Sequence, residues 1–163
     1  MEYKVAEKQE FRVLGRKAEL SAVNQEHLQK IPRLWQEIYR DGTLDRLMRL
    51  GAAEGCCPHP LGLCLMEGET ENSFSYMIGV KAPEAAAEAE WDSLAVPALT
   101  WAVFPVAGKM PEAIQQVIRQ IYAGPFPVGG YSRAAGPDIE VYFDGDMNSP
   151  DYRCEVWIPI VKS

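Results

Sequence analysis

The chain has 163 residues, 47% of them hydrophobic, and a formal net charge of -7 from 23 acidic and 16 basic side chains. That length can bury one core without disulfide staples, no apolar run approaches the roughly 18 residues of a membrane helix, and the start Met1-Glu2-Tyr3-Lys4 lacks the basic-then-apolar pattern of a secretory leader, so a cytoplasmic protein is expected. An acidic chain with no Lys/Arg cluster repels phosphate backbones and anionic lipid, which argues against direct DNA binding and membrane attachment and favours cations.

Residues 3–8 and 11–20 read as strands, with Gly15 marking a bulge or a close backbone approach. From Ala22 onward Leu28, Ile31, Leu34, Trp35, Ile38 and Tyr39 recur at threes and fours, predicting a helix that Asp41-Gly42 ends. Pro32 inside it predicts a kink, or two helices meeting, near 30–32. Thr43 is expected to cap a second helix carrying Leu44, Leu47 and Met48 and stopped by Gly51. Segments 61–66 and 73–80 then predict a hairpin across the acidic turn 67–72, with Phe74, Tyr76, Ile78 and Val80 on one face. Residues 81–90 read as a connector between a first half of about 1–82 and a second of about 91–163, within a single domain.

In the second half, 94–107 is expected to be extended, with Trp101 and Phe104 on opposite faces. Pro111 opens the clearest helix, whose stripe is Ile114, Val117, Ile118, Ile121 and Tyr122 and whose stop is Gly124-Pro125. Residues 126–137 read as a loop, and 139–143 with 152–160 as the last hairpin. In its closing strand Cys154, Val156 and Ile158 alternate with Arg153, Glu155 and Trp157. Glu155 thus stands beside an indole, and an acid next to an aromatic face can hold a flat cation. With Ile139, Val141 and Phe143 assigned to the helices, Glu140 and Tyr142 fall on the same side as Glu155 and Trp157.

Each half has the order strand, helix, hairpin. This predicts an α+β fold of duplicated strand-helix-strand-strand modules with pseudo-twofold symmetry: an antiparallel sheet with helices on one face and a central cleft. Other chemistries lack their residues. Cys56, Cys57, Cys64 and Cys154 form no CxxC pair, and adjacent thiols such as Cys56-Cys57 chelate one ion poorly, so no metal is expected. His27 and His59 have no nucleophile or acid at informative spacing, and no phosphate loop or dinucleotide fingerprint is present, so no cofactor is expected either.

Trp35 within Ile31-Pro32-Arg33-Leu34-Trp35, the strand 74–80, the run Gly136-Pro137-Asp138-Ile139-Glu140-Val141-Tyr142 and the closing Glu155-Val156-Trp157-Ile158-Pro159-Ile160 together resemble the GyrI-like family, the effector-binding domain also fused to AraC-type and MerR-type regulators. The resemblance implies a stand-alone domain whose cleft takes lipophilic, often cationic, aromatic compounds over a strand glutamate. Glu155 is similar to that glutamate, Glu140 competes for the role, and Tyr76, Tyr142, Trp157 and Trp35 match the aromatic wall. Multidrug sensing or sequestration is the first function implied. The second is a hydrolase opening strained cyclopropane rings of genotoxins, with Glu155 and Tyr76 catalytic. The third is a protein-binding gyrase modulator.

Overall fold

The structure, a computed structural model, describes residues 2–53, 59–65, 73–82, 90–124 and 129–163. The expected turn at 67–72, most of the 81–90 connector, Cys56, Cys57 and Pro125 lie outside the described residues. The fold is α+β, with a mostly antiparallel sheet and, among the described residues, three α-helices. In chain order the elements are β1 Lys4–Lys8, β2 Phe11–Ser21, α1 His27–Arg40, α2 Thr43–Ala53, β3 Leu61–Leu65, β4 Ser73–Ala82, β5 Asp92–Val96, β6 Leu99–Ala107, α3 Glu112–Ala123, β7 Tyr131–Arg133, β8 Asp138–Tyr142 and β9 Arg153–Lys162. The strands run β1-β6-β9-β8-β3-β4-β2-β5 across the sheet, with β7 added on β9. The two hairpins meet in the middle, where β3 pairs with β8.

The links β1 to β2 and β5 to β6 are two residues each, yet each joins strands from opposite ends of this order. So short a link spans about 10 Å. The sheet therefore curls until its ends approach, and both of its faces are buried. On one face lie the helices: Ile31, Leu34, Trp35 and Ile38 of α1 pack on Leu20, Phe74, Tyr76 and Ile78, Leu47 of α2 on Leu14, Val80 and Trp91, and Ile114 and Ile121 of α3 on Phe104, Val156 and Ile158. On the other face Val13, Leu63, Met77, Trp101, Val103, Ile139 and Val141 form a core of their own. Trp101 and Phe104 fall on opposite faces, as their spacing predicts.

Several elements differ from expectation. The helix α1 runs unbroken through Pro32. The carbonyl that Pro32 leaves without its intrahelical donor is that of Leu28, and it accepts instead from Gln115 Nε2 of α3 at 3.3 Å. The chain turns earlier, at Asn24 and Gln25, both at positive φ. Thr43 is the first residue of α2 rather than its cap; the Thr43 side chain and its amide, which donates to Asp41 Oδ1 at 2.9 Å, hold the Asp41 carboxyl below its usual range. That helix continues past Gly51 to Ala53. The extended stretch 94–107 is two strands, β5 on β2 and β6 between β1 and β9, and the expected loop 126–137 contains β7.

The largest correction concerns the last hairpin. Its register sets Ile139 opposite Trp157, Glu140 opposite Val156, Val141 opposite Glu155 and Tyr142 opposite Cys154. Cross-strand partners share a face. Glu140 and Tyr142 therefore join Cys154, Val156 and Ile158 beneath the helices, while Glu155 and Trp157 join Ile139 and Val141 on the far side. An aliphatic set marks the helix side only when the opposite face is solvated. Here both are covered.

Candidate functional site

Between the N-terminal part of α1 and the C-terminal part of α3 lies a cavity of about 570 Å³, within the size range that holds drug-sized molecules. Its walls include Leu28, Phe74 and Ile118, and its floor carries Asp138, Glu140, Val156 and Ile158. Glu140, only 6% exposed, sits on the central strand β8. Tyr76 of β4 donates its hydroxyl to Glu140 Oε1 at 2.6 Å, and Tyr142 donates to the same oxygen at 2.9 Å. Trp35 of α1 donates its indole N–H to the Tyr76 hydroxyl at 2.9 Å and stands edge-on to the Tyr142 ring, with centroids 4.9 Å apart. The hydrogen bonds to the Glu140 carboxylate among the described residues fall on Oε1. Oε2 is the oxygen left for a ligand.

Burial raises the Glu140 pKa, and the two phenolic hydrogen bonds only partly oppose it. Each such bond to a carboxylate contributes about 1.5–3 kcal/mol, less than full desolvation of an unpaired charge removes. The two phenols are themselves held protonated by burial and by the adjacent carboxylate, so they stay donors. Two residues along the same strand face, Asp138 also lines the cavity. Its Oδ1 accepts from the Arg133 guanidinium at 2.7 Å and its Oδ2 from the Tyr122 hydroxyl, with Arg133 stacked 4.7 Å over the Tyr122 ring. Burial and the nearby Glu140 push the Asp138 carboxyl up to about 7. Neither acid has its ordinary affinity for a proton, and a cation entering the cavity would lower both.

A sequence model of the GyrI-like small molecule binding domain matches residues 1–161. The chain belongs to the GyrI-like family. Among solved structures, this GyrI-like domain is similar to SAV2435 bound to tetraphenylphosphonium, with a TM-score of 0.84 and 28% identity over 99% of this chain and 94% of that one. A putative transcription regulation protein from Staphylococcus aureus MU50 follows, at TM-score 0.80 and 27% identity over 98% of both chains. An integron cassette protein from Vibrio cholerae, at TM-score 0.64 and 19% identity over 98% of this chain and 95% of that one, shares the fold. None of the curated proteins compared with the sequence matches it.

Within the GyrI-like fold, the six residues singled out from the sequence divide into two groups. Trp35, Tyr76, Glu140 and Tyr142 are brought into one hydrogen-bonded cluster at the cleft. Glu155 and Trp157 are not part of it: Trp157 donates its indole N–H to Glu155 Oε1 at 3.1 Å, packs 5.8 Å from Trp101, and carries Lys8 4.6 Å above its ring. The cation on that indole is the protein's own. Among the described residues no group of three or more His, Cys, Asp or Glu is placed to hold a metal, and no helix is long and apolar enough to cross a membrane.

Two site residues escaped the sequence reading. Asp138 was legible as the same-face partner of Glu140, two positions away on a strand. Gly62 pairs with Glu140 on one side and Ile78 on the other. A Cβ there would overlap both the Tyr76 hydroxyl and the Glu140 carboxylate, so only glycine lets that hydrogen bond form. A glycine inside the apolar run Leu61-Gly62-Leu63 is itself a sign of close approach.

Proposed function

We propose that this domain binds lipophilic aromatic cations in the cavity between α1 and α3, as a multidrug-sensing or sequestering protein, with Glu140 rather than Glu155 supplying the carboxylate. The supporting observation is a buried glutamate that is tied through one oxygen by two phenols and that lines a largely apolar cavity of about 570 Å³. The tetraphenylphosphonium bound by SAV2435 is a cation of this chemistry. Burying about 250 Å² of ligand apolar surface contributes roughly 6 kcal/mol, and attraction to a poorly solvated carboxylate adds to it. After the cost of association this suits roughly micromolar affinity with broad selectivity. We infer also that the halves of about 1–82 and 91–163 are duplicated units: the inner order β6-β9-β8-β3-β4-β2 places a hairpin and a preceding strand symmetrically about the β3–β8 junction.

Calorimetric titration with tetraphenylphosphonium tests the binding function. Saturation at one equivalent is expected, weakened about tenfold to a hundredfold by Glu140→Gln, a loss of about 1.4–2.8 kcal/mol. Equal affinity in the two proteins would overturn the role of Glu140. Hydrolysis of strained-ring electrophiles is the second function that one observation favours, because burial leaves Glu140 able to carry a proton for general-acid work beside two phenol donors. Incubation with excess cyclopropane-containing electrophile decides it: product limited to the protein present rules out turnover.

A further inference from the structure

Scattered apolar side chains on a surface carry little meaning, but two of the large ones left in solvent border the same groove. Tyr39 of α1 is 77% exposed, and Met147, in the turn between β8 and β9, is 39% exposed. Together with Met48 of α2 and Phe143 after β8 they line a groove of about 580 Å³, which shares no lining residue with the cavity over Glu140. Trp35 and Tyr142 line it too, and their hydrogen bonds and ring contact hold them in place, so this part of the groove is preorganised. Its charges are separated by element. Arg40 comes from α1, whereas Asp144 and Asp146 come from the turn, where residues 144–151 include three acids and no base.

We propose that this groove is an interaction surface for a short segment of another protein, in which one bulky apolar side chain lies between a basic and an acidic residue. The apolar side chain packs on Met48 and Phe143, the base meets Asp144 and Asp146, and the acid meets Arg40. A small molecule seated in the groove would leave the outer parts of Tyr39 and Met147 in water. A chain segment passing over the groove covers both. Aromatic residues, Met and Arg are the types enriched at protein interfaces, and Met adapts its shape to what it meets. Charges of opposite sign on two elements give the docked segment a direction and disfavour uniformly charged segments, which place like charges together at one side. The area is small, so the contact is weak and reversible.

The test is fluorescence anisotropy of short fluorescein-labelled Gly/Ser peptides with a central Trp, titrated with the whole domain. The Trp is flanked by Lys and Glu in either order, by two Lys or by two Glu, and a further mixed-charge peptide has Ala in place of Trp. One of the two mixed-charge orders is expected to bind at least about threefold more tightly than either uniform peptide, with the Ala version weaker by about tenfold or more. Tyr39→Ser and Asp144→Lys, both at exposed positions, are each expected to weaken that peptide at least about threefold while keeping the wild-type urea midpoint. Equal affinity for all peptides, saturation by none, or indifference to both substitutions overturns the proposal. Displacement of the peptide by tetraphenylphosphonium overturns it in favour of a small-molecule site. A dimer in sedimentation that Tyr39→Ser dissociates overturns it in favour of a second copy of this chain. Peptide binding that survives where tetraphenylphosphonium fails to bind supports this surface and separates it from the cation-binding function.

Discussion

Two acid-x-aromatic pairs stand on neighbouring strands of the same hairpin, Glu140 with Tyr142 and Glu155 with Trp157, and the sheet treats them in opposite ways. Glu140 is enclosed beneath the helices, where it receives two hydroxyls on one oxygen and lines a largely apolar cavity. Glu155 is half-buried on the far face, bonded to its own neighbour's indole, and that indole already has the Lys8 ammonium over it. The first pair borders a cavity, while the second has the protein's own Lys8 over its aromatic ring. An acid beside an aromatic ring is therefore not a cation site in itself. What counts is whether the fold already places a cation of its own on the ring.

That contrast can be broken most severely at Gly62. Gly62→Ala forces Tyr76 and Glu140 apart and is expected to cost about 1–3 kcal/mol of stability through overpacking, seen as a lower urea midpoint, together with weaker tetraphenylphosphonium binding. Retention of both would show that the close approach is not needed. A smaller effect follows from pH. Because the Asp138 pKa is raised from 3.8 to about 7, the folded protein holds a proton that the unfolded chain has lost, so this group's contribution to stability falls as pH rises from about 4 through about 7. A bound cation reverses the preference. Affinity for tetraphenylphosphonium should rise about threefold to tenfold between pH 6 and pH 8 with release of a proton, and Asp138→Asn should flatten the profile. A pH-independent affinity in the wild type would exclude linkage to Asp138. The smallest effect is predicted on the far face, where Glu155→Gln is expected to change cation affinity by less than about 0.5 kcal/mol, the size of an ordinary surface substitution. A loss matching that of Glu140→Gln would erase the distinction between the faces.

Much of the architecture was legible in the sequence because it follows from local periodicity. The stripe of Ile114, Val117, Ile118 and Ile121 specifies α3, the alternation of Phe74, Tyr76 and Ile78 specifies the helix-facing side of β4, and Trp101 and Phe104 separate as a period of two requires. The cluster of Trp35, Tyr76, Glu140 and Tyr142 was legible as residue types. Its assembly was not. Trp35 sits 41 residues from Tyr76, and Tyr76 sits 64 residues from Glu140, so no local pattern connects them.

The alternation of the last two strands determined that Glu140 shares a face with Tyr142 and that Glu155 shares a face with Trp157, because side chains two apart on a strand must point the same way. Which of those faces lies under the helices was a tertiary decision. It rests on the pairing register of β8 with β9 and on the curl that brings β1 and β5 around the far side, burying Trp101 and placing Lys8 over Trp157. Once both faces are apolar, hydrophobicity no longer tells inside from outside, and only the packed sheet determines which acid meets the cavity and which meets the protein's own lysine-capped indole.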